Sequence, residues 1–197
     1  RVKEMNETAS GKSRFSAEML VGVSAVFIGV LALGVSLYET SLMRWEQRAA
    51  VLPLLELSRS YFSSSQDEPS QEKWRLSLNA QNVGIGPARI QDFTVKVDGI
   101  AQPTWGDAFE ALLGRDIEIT YGQSTINGRT IPPDRQVTMF ELRDTQLTAE
   151  IIEEFDRLEF SACFCSIFEE CWITSYATFG AAQSIQSCAV SEESFRE

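Results

Sequence analysis

The sequence predicts a single N-terminal transmembrane helix followed by a mainly-β domain, an immunoglobulin-like β-sandwich with one or two short helices. Three observations carry that prediction. Residues 19–38 contain no charged side chain and are bracketed by Glu18 and Glu39; about twenty such residues cross a ~30 Å hydrocarbon core as one helix. Beyond Pro53, apolar residues recur at every second position in several short segments, which is the period of a half-buried strand. Asp98-Gly99, Asn127-Gly128 and Pro132-Pro133-Asp134 punctuate those segments with the residues that tight turns require.

The expected organisation is a cytoplasmic tail over 1–17, a membrane helix continuing into a stalk over 18–52, and an outer domain over 53–197. Pro53 is the first strong helix breaker after the apolar run. A helix from about Ser16 to Leu52 would extend roughly 55 Å, well past the bilayer core. Trp45, with Arg44 and Arg48, suits the interface or the stalk above it. Arg1, Lys3, Lys12 and Arg14 against Glu4 and Glu7 give the tail a slight positive bias, which places the tail inside and the domain outside. A cleaved signal peptide is the alternative, but the apolar core is long for one and no small-x-small pattern follows it.

Gly22, Ala25, Gly29, Ala32 and Ser36 recur at spacings of three and four. They form a stripe of small residues on which a second helix can pack closely, and packing drives association in lipid. Homo-oligomerisation, or docking on other membrane-protein subunits, is the partner class this implies. The net charge of −11 argues against nucleic acid, which needs a basic surface.

In the outer domain, Leu76 and Leu78 join Trp74 on one strand face, with Arg75, Ser77 and Asn79 on the other. Phe93, Val95 and Val97 alternate with Thr94 and Lys96, and Asp98-Gly99 closes a hairpin. Trp105, Ala108, Phe109 and Leu112 fit one face of a short helix that Thr104 and Asp107 cap and Gly114 ends. Residues 116–126, Asn127-Gly128 and 129–131 read as another hairpin. Residues 135–142 read as a strand. Ile151, Ile152, Phe155 and Leu158 follow a helical spacing behind a Thr148 cap. Residues 158–168 and 171–179 read as two closing strands. Trp74, Trp105, Phe109 and Trp172 suit core packing better than a ligand cage.

Four cysteines, Cys163, Cys165, Cys171 and Cys188, read as two disulfides on the oxidising side of a membrane. Three connectivities are open. Cys163 and Cys165 share a strand face and point the same way, which makes a bond between them awkward. If residues 166–170 form a hairpin loop, Cys165 faces Cys171, leaving Cys163 for Cys188. A four-cysteine zinc site and redox-active thiols are the alternatives, although a C-x-C pair departs from the usual zinc spacing and from the C-x-x-C of a catalytic redox pair.

The sequence has no histidine. That excludes Ser-His-Asp and Cys-His chemistry and every histidine-containing metal site. The acidic runs Glu153-Glu154 with Asp156, Glu169-Glu170 and Glu192-Glu193 lack calcium-loop spacing. A Ser-Lys dyad would have to use Lys73 or Lys96, the only lysines beyond the membrane. No catalytic residue, cofactor site or metal site is expected.

The segment 74–90, with Asn82, Gly84, Gly86, Pro87 and Ala88, and the segment with Cys163, Cys165, Ser166, Cys171 and Trp172 resemble a group of uncharacterised bacterial single-pass membrane proteins. Those proteins show an N-x-G-x-G-P-A strand motif and a C-terminal C-x-C-S…C-W motif. The resemblance implies a bacterial inner-membrane anchor and a periplasmic domain, and no activity. From the residues themselves, Gly84 and Gly86 are expected to allow positive φ beside the bend fixed by Pro87. The leading functional expectation is a non-catalytic accessory or scaffold subunit of a membrane assembly. The alternatives are an envelope domain that binds a small ligand or glycan, and a serine- or carboxylate-based hydrolase.

Overall fold

The computed structural model describes residues 11–62, 75–143, 145–176, 181–189 and 194–196. Lys3, Ser63–Ser65, Lys73, Trp74, Glu192 and Glu193 lie outside the described residues, as do the side chains of Lys12 and Arg14. The chain forms two compact units, residues 1–47 and 48–197.

The first unit is built on helix α1, Gly11–Ala49. At 1.5 Å per residue its length is about 58 Å. It is long and apolar enough to cross a membrane, and its described side chains are exposed throughout. It begins earlier than the expected Ser16 and stops short of Leu52. Beyond Ala49 the Val51 N–H returns to the Arg48 carbonyl in a tighter turn, and the Leu52 carbonyl accepts from Ile85 and Gly86 in the outer domain.

The second unit contains two antiparallel sheets. The first has the order β1 (Leu55–Phe62), β2 (Arg75–Asn82), β7 (Arg135–Leu142), β5 (Tyr121–Gln123). The second has the order β10 (Gln183–Ile185), β9 (Cys171–Ser175), β8 (Leu158–Cys165), β3 (Ala88–Val97), β4 (Ile100–Gln102), with β6 (Thr130–Ile131) also paired to β3. Alternation directs Leu76, Leu78, Phe140 and Leu142 from the first sheet and Ile90, Phe93, Val95, Phe160 and Phe164 from the second into one core. Helix α2 (Trp105–Leu113) inserts Trp105 and Phe109 among them. Trp105 meets Phe93 at 6.2 Å, Phe140 at 5.3 Å and Phe195 at 4.9 Å between ring centroids.

Helix α2 has the caps its sequence specifies. Thr104 accepts from the Asp107 amide, and Gly114 takes the left-handed conformation with its N–H on the Glu110 carbonyl. Asp98 and Gly99 both have positive φ in the β3–β4 turn, as a two-residue hairpin needs.

Asn79 lies, as expected, on the face opposite Leu76 and Leu78, and it is buried there with bonds to Ser60 and Thr138. Three local expectations are corrected. Asn127-Gly128 does not close a hairpin, because β5 pairs with β7 while β6 pairs with β3 in the other sheet. Residues 116–120 form no strand. Thr148 is not a cap, because α3 (Thr145–Glu153) begins three residues earlier; the helical spacing then breaks, with Phe155 in a 3-10 turn and Leu158 opening β8.

Candidate interaction site at the neck of the domain

The chain enters the outer domain through a neck, residues 48–54, that is gripped by the loop between β2 and β3. Val83 N–H donates to the Leu54 carbonyl at 2.8 Å, and Ile85 and Gly86 N–H donate to the Leu52 carbonyl at 3.0 and 3.2 Å. Asn82, fully buried at the end of β2, organises the contact. Its Nδ2 donates to the carbonyls of Gly86 (2.8 Å) and Ile131 (2.9 Å). Its Oδ1 accepts from the amides of Gly84 (3.0 Å) and Leu54 (3.3 Å). An amide side chain has two donors and two acceptor sites, so every one is used. One residue thereby joins the neck, the β2–β3 loop and β6.

The two glycines serve this grip by their lack of a side chain. A Cβ on Gly84 would stand 2.6 Å from the Leu52 carbonyl oxygen, and one on Gly86 would stand 2.8 Å from Val51 Cα and closer still to the Val51 carbonyl. Neither glycine has positive φ. The expectation of positive φ at these positions is therefore corrected: close approach of two backbones requires them. An Asn ending a strand immediately before paired glycines was the available signal, and a sequence alone does not say which backbone comes close.

The cysteines close the same end of the domain. Alternation along β8 turns Leu158, Phe160, Ala162 and Phe164 to the core and Cys163 and Cys165 to the opposite face. Cys165 sits opposite Cys171 in the β8–β9 ladder and is bonded to it. Cys163 is bonded to Cys188, tying the segment after β10 back to β8. Cys165 Sγ and Cys188 Sγ, from different bonds, lie 3.7 Å apart. Three of these sulfurs fall within the span of a metal site, but all four are consumed in S–S bonds, so none is a thiolate ligand.

Two ion pairs link the loops around the neck. Arg48 meets Glu170 at 3.4 Å, and Arg89 meets Glu169 at 2.7 Å. Surface pairs of this kind contribute about 0–1 kcal/mol each. Ser166 receives the amides of Phe168 and Glu170 on its hydroxyl, which shapes the β8–β9 loop. The side chains of Leu52, Val83, Ile85, Ile167 and Phe168 remain exposed.

The opposite end of β3 is held differently. Arg157 binds Asp98 through two nitrogens, at 2.6 Å for the shortest contact, and also reaches Glu154 and the Leu112 carbonyl. Hydrogen bonding from Arg157 holds the Asp98 carboxyl below its ordinary pKa, and Asp98 in turn raises that of Arg157. A surface cleft of about 570 Å³ runs beside β5, lined by Glu118, Ile119, Tyr121, Glu141, Leu142 and Leu147 among others. Its Glu141 is engaged by Arg75 at 3.1 Å and by Arg143 at 3.3 Å. A smaller open cleft holds Glu150, Glu153, Glu154 and Arg157.

Among the described residues the acidic runs do not converge: Glu153, Glu154 and Asp156 lie at the Arg157 end, while Glu169 and Glu170 lie at the neck. Lys96 is half-buried on β3. Trp105 and Phe109 lie in the core, and Trp172 stacks on Phe164 at 5.8 Å. Gly22, Ala25, Gly29, Ala32 and Ser36 all lie on exposed α1, and nothing approaches the Cβ positions of Gly22 or Gly29.

No protein-family model matches this chain, and no curated protein matches it.

Proposed function

We propose that this protein is a non-catalytic, membrane-anchored accessory or scaffold subunit that meets a membrane assembly through α1 and its outer domain. One observation carries the reading: the most specific polar construction of the domain, Asn82 with Gly84 and Gly86, is spent on fixing the neck to the domain. A module that presents surfaces to partners benefits from a fixed attachment point. The exposed small-residue stripe from Gly22 to Ser36 supports self-association or docking on another membrane subunit.

The strand orders support an immunoglobulin-like assignment. Taking β1, β2, β3, β5, β7, β8 and β9 as strands A, B, C, D, E, F and G yields the A-B-E-D and G-F-C sheets of that fold, with β4 extending the second sheet beyond C. Two disulfides support an oxidising compartment. Together with the motifs of Asn82–Ala88 and Cys163–Trp172, they favour a bacterial inner-membrane protein with a cytoplasmic N-terminus and a periplasmic domain.

The experiment is native mass spectrometry of the intact chain released from its membrane in mild detergent. The expected result is a homo-oligomer or a complex with other membrane subunits, weakened by Gly29→Leu. Recovery as a lone monomer at physiological density would overturn the reading. The cleft beside Tyr121 favours a second reading, a ligand- or glycan-binding envelope domain. Chemical-shift changes at Tyr121 and Leu147 on adding cell-wall glycans would support that reading, and unchanged shifts would remove it.

A further inference from the structure

We propose that the loop tips at the neck form a lipid-contacting surface, so that the outer domain itself engages the bilayer headgroup region. Nine large apolar side chains are exposed in the described part of the domain: Leu52, Leu54, Tyr61, Val83, Ile85, Ile100, Ile167, Phe168 and Ile173. Six of them belong to the neck and to the two loops beside it. Leu52 and Leu54 are in the neck, Val83 and Ile85 are in the β2–β3 loop, and Ile167 and Phe168 are in the β8–β9 loop.

The bonds already described place these segments together. Val83, Ile85 and Gly86 are bonded to the neck backbone. Arg89, directly after the β2–β3 loop, pairs in register with Cys165 and reaches Glu169 of the β8–β9 loop. Arg48 reaches Glu170 in that same loop. Ile85 is 64% and Ile167 50% exposed, which is unusual for isoleucine at a loop tip facing only water. Arg48 and Arg89 pair with Glu170 and Glu169, which lowers the cost of bringing those four charges to the headgroup layer.

Chain connectivity selects lipid as the occupant. The apolar surface of α1 continues through Leu42, Met43 and Trp45, and Trp with flanking Arg is the composition of a membrane interface. Leu52 follows Trp45 by seven residues and the last residue of α1 by three. Three residues of chain reach at most about 11 Å. Any bilayer that α1 crosses is therefore near, along the chain, to Leu52 and Leu54, and the bonds of the neck to the two loops bring the other four side chains to the same end. Loops carrying a few large apolar residues bury them at the acyl boundary, where removing apolar area from water is favourable.

The proposal goes beyond the scaffold reading and is tested apart from it. The full chain is reconstituted in vesicles of phosphatidylethanolamine and phosphatidylglycerol, with p-benzoylphenylalanine replacing Trp45, Ile85, Ile100 or Phe168 in turn. Intact disulfides in each variant, read by mass, verify folding. After irradiation, adducts are assigned by mass to lipid or protein. The expected result is at least fivefold more lipid adduct at 85 and 168 than at 100, which lies at the far end of β3. Equal yields at the three positions, or protein adducts alone at 85 and 168, would overturn the proposal. Lipid adducts at 45 without them at 85 and 168 would also overturn it while leaving the anchor in place. Absence of lipid adducts at 45 as well would equally overturn it and would put Trp45 in the stalk, clear of the interface.

Discussion

Strands β3 and β8 run the length of the domain, and their two ends are closed by opposite means. At the neck end, backbone meets backbone through Gly84 and Gly86, Asn82 spends its whole hydrogen-bonding capacity, and two disulfides lie alongside. At the far end, a two-residue turn is tied by Arg157 to Asp98 and Glu154 in solvent. Buried polar groups are costly to leave unpaired, whereas exposed ion pairs are screened and weak. The neck end should thus be intolerant of substitution and the far end forgiving.

Gly86→Val is the most direct way to break that contrast. Its side chain would overlap the Val51 backbone, and destabilisation should exceed about 3 kcal/mol by urea denaturation. The matched change Gly99→Ala meets open space and suffers only from its φ of 79°, at about 1 kcal/mol. Comparable losses at both sites would erase the distinction. Next in size is Cys163→Ser with Cys188→Ser. It opens a link across 25 residues, which corresponds to about 3 kcal/mol on the loop-entropy model, against about 2 kcal/mol for the six-residue link of Cys165 and Cys171. Thermal melting of the two double variants tests the ranking.

Asn82→Asp keeps the shape but removes both donors, leaving the Gly86 and Ile131 carbonyls unserved. A loss of about 2 kcal/mol is expected, together with faster proteolysis between residues 48 and 54. A neck as resistant as that of the parent would show that the grip does not depend on Asn82. The smallest effect belongs to Asp98→Asn. The folded Asp98 titrates below its unfolded value, so its contribution is present above about pH 4 and fades as pH falls through the folded value. The variant should lose slightly less stability than the parent between pH 5 and pH 3. A steeper acid loss in the variant would contradict the Arg157 pairing.

The parts legible in the sequence are those decided by near neighbours. Helix α2 could be read because Thr104, Asp107, Gly114 and the Trp105–Leu112 spacing all act within ten residues. The Asp98-Gly99 turn needs only its own φ angles. Where a distant strand chooses the partner, the sequence misleads. Residues 116–131 look like a hairpin, yet β5 and β6 join different sheets. Asn79 looks outward by alternation and does lie off the core face, yet polar partners on the neighbouring strands, Ser60 and Thr138, cover it there. The neck was the least legible of all. Asn82 and the glycines mark an unusual backbone, while the segment they hold lies some thirty residues earlier in the chain.

The 3.7 Å gap between Cys165 Sγ and Cys188 Sγ has a chemical consequence. If an external dithiol reduces the Cys165–Cys171 bond, the Cys165 thiolate has Cys188 within reach; attack there forms Cys165–Cys188 and expels Cys163 as thiolate. If the same reductant opens Cys163–Cys188 instead, the Cys188 thiolate attacks Cys165, forms the same bond and expels Cys171. Both routes converge on one connectivity, and in each the segment after β10 keeps a covalent tie to β8. The second bond thus acts as a spare for the first, and the domain loses its tail tether only after two successive reductions.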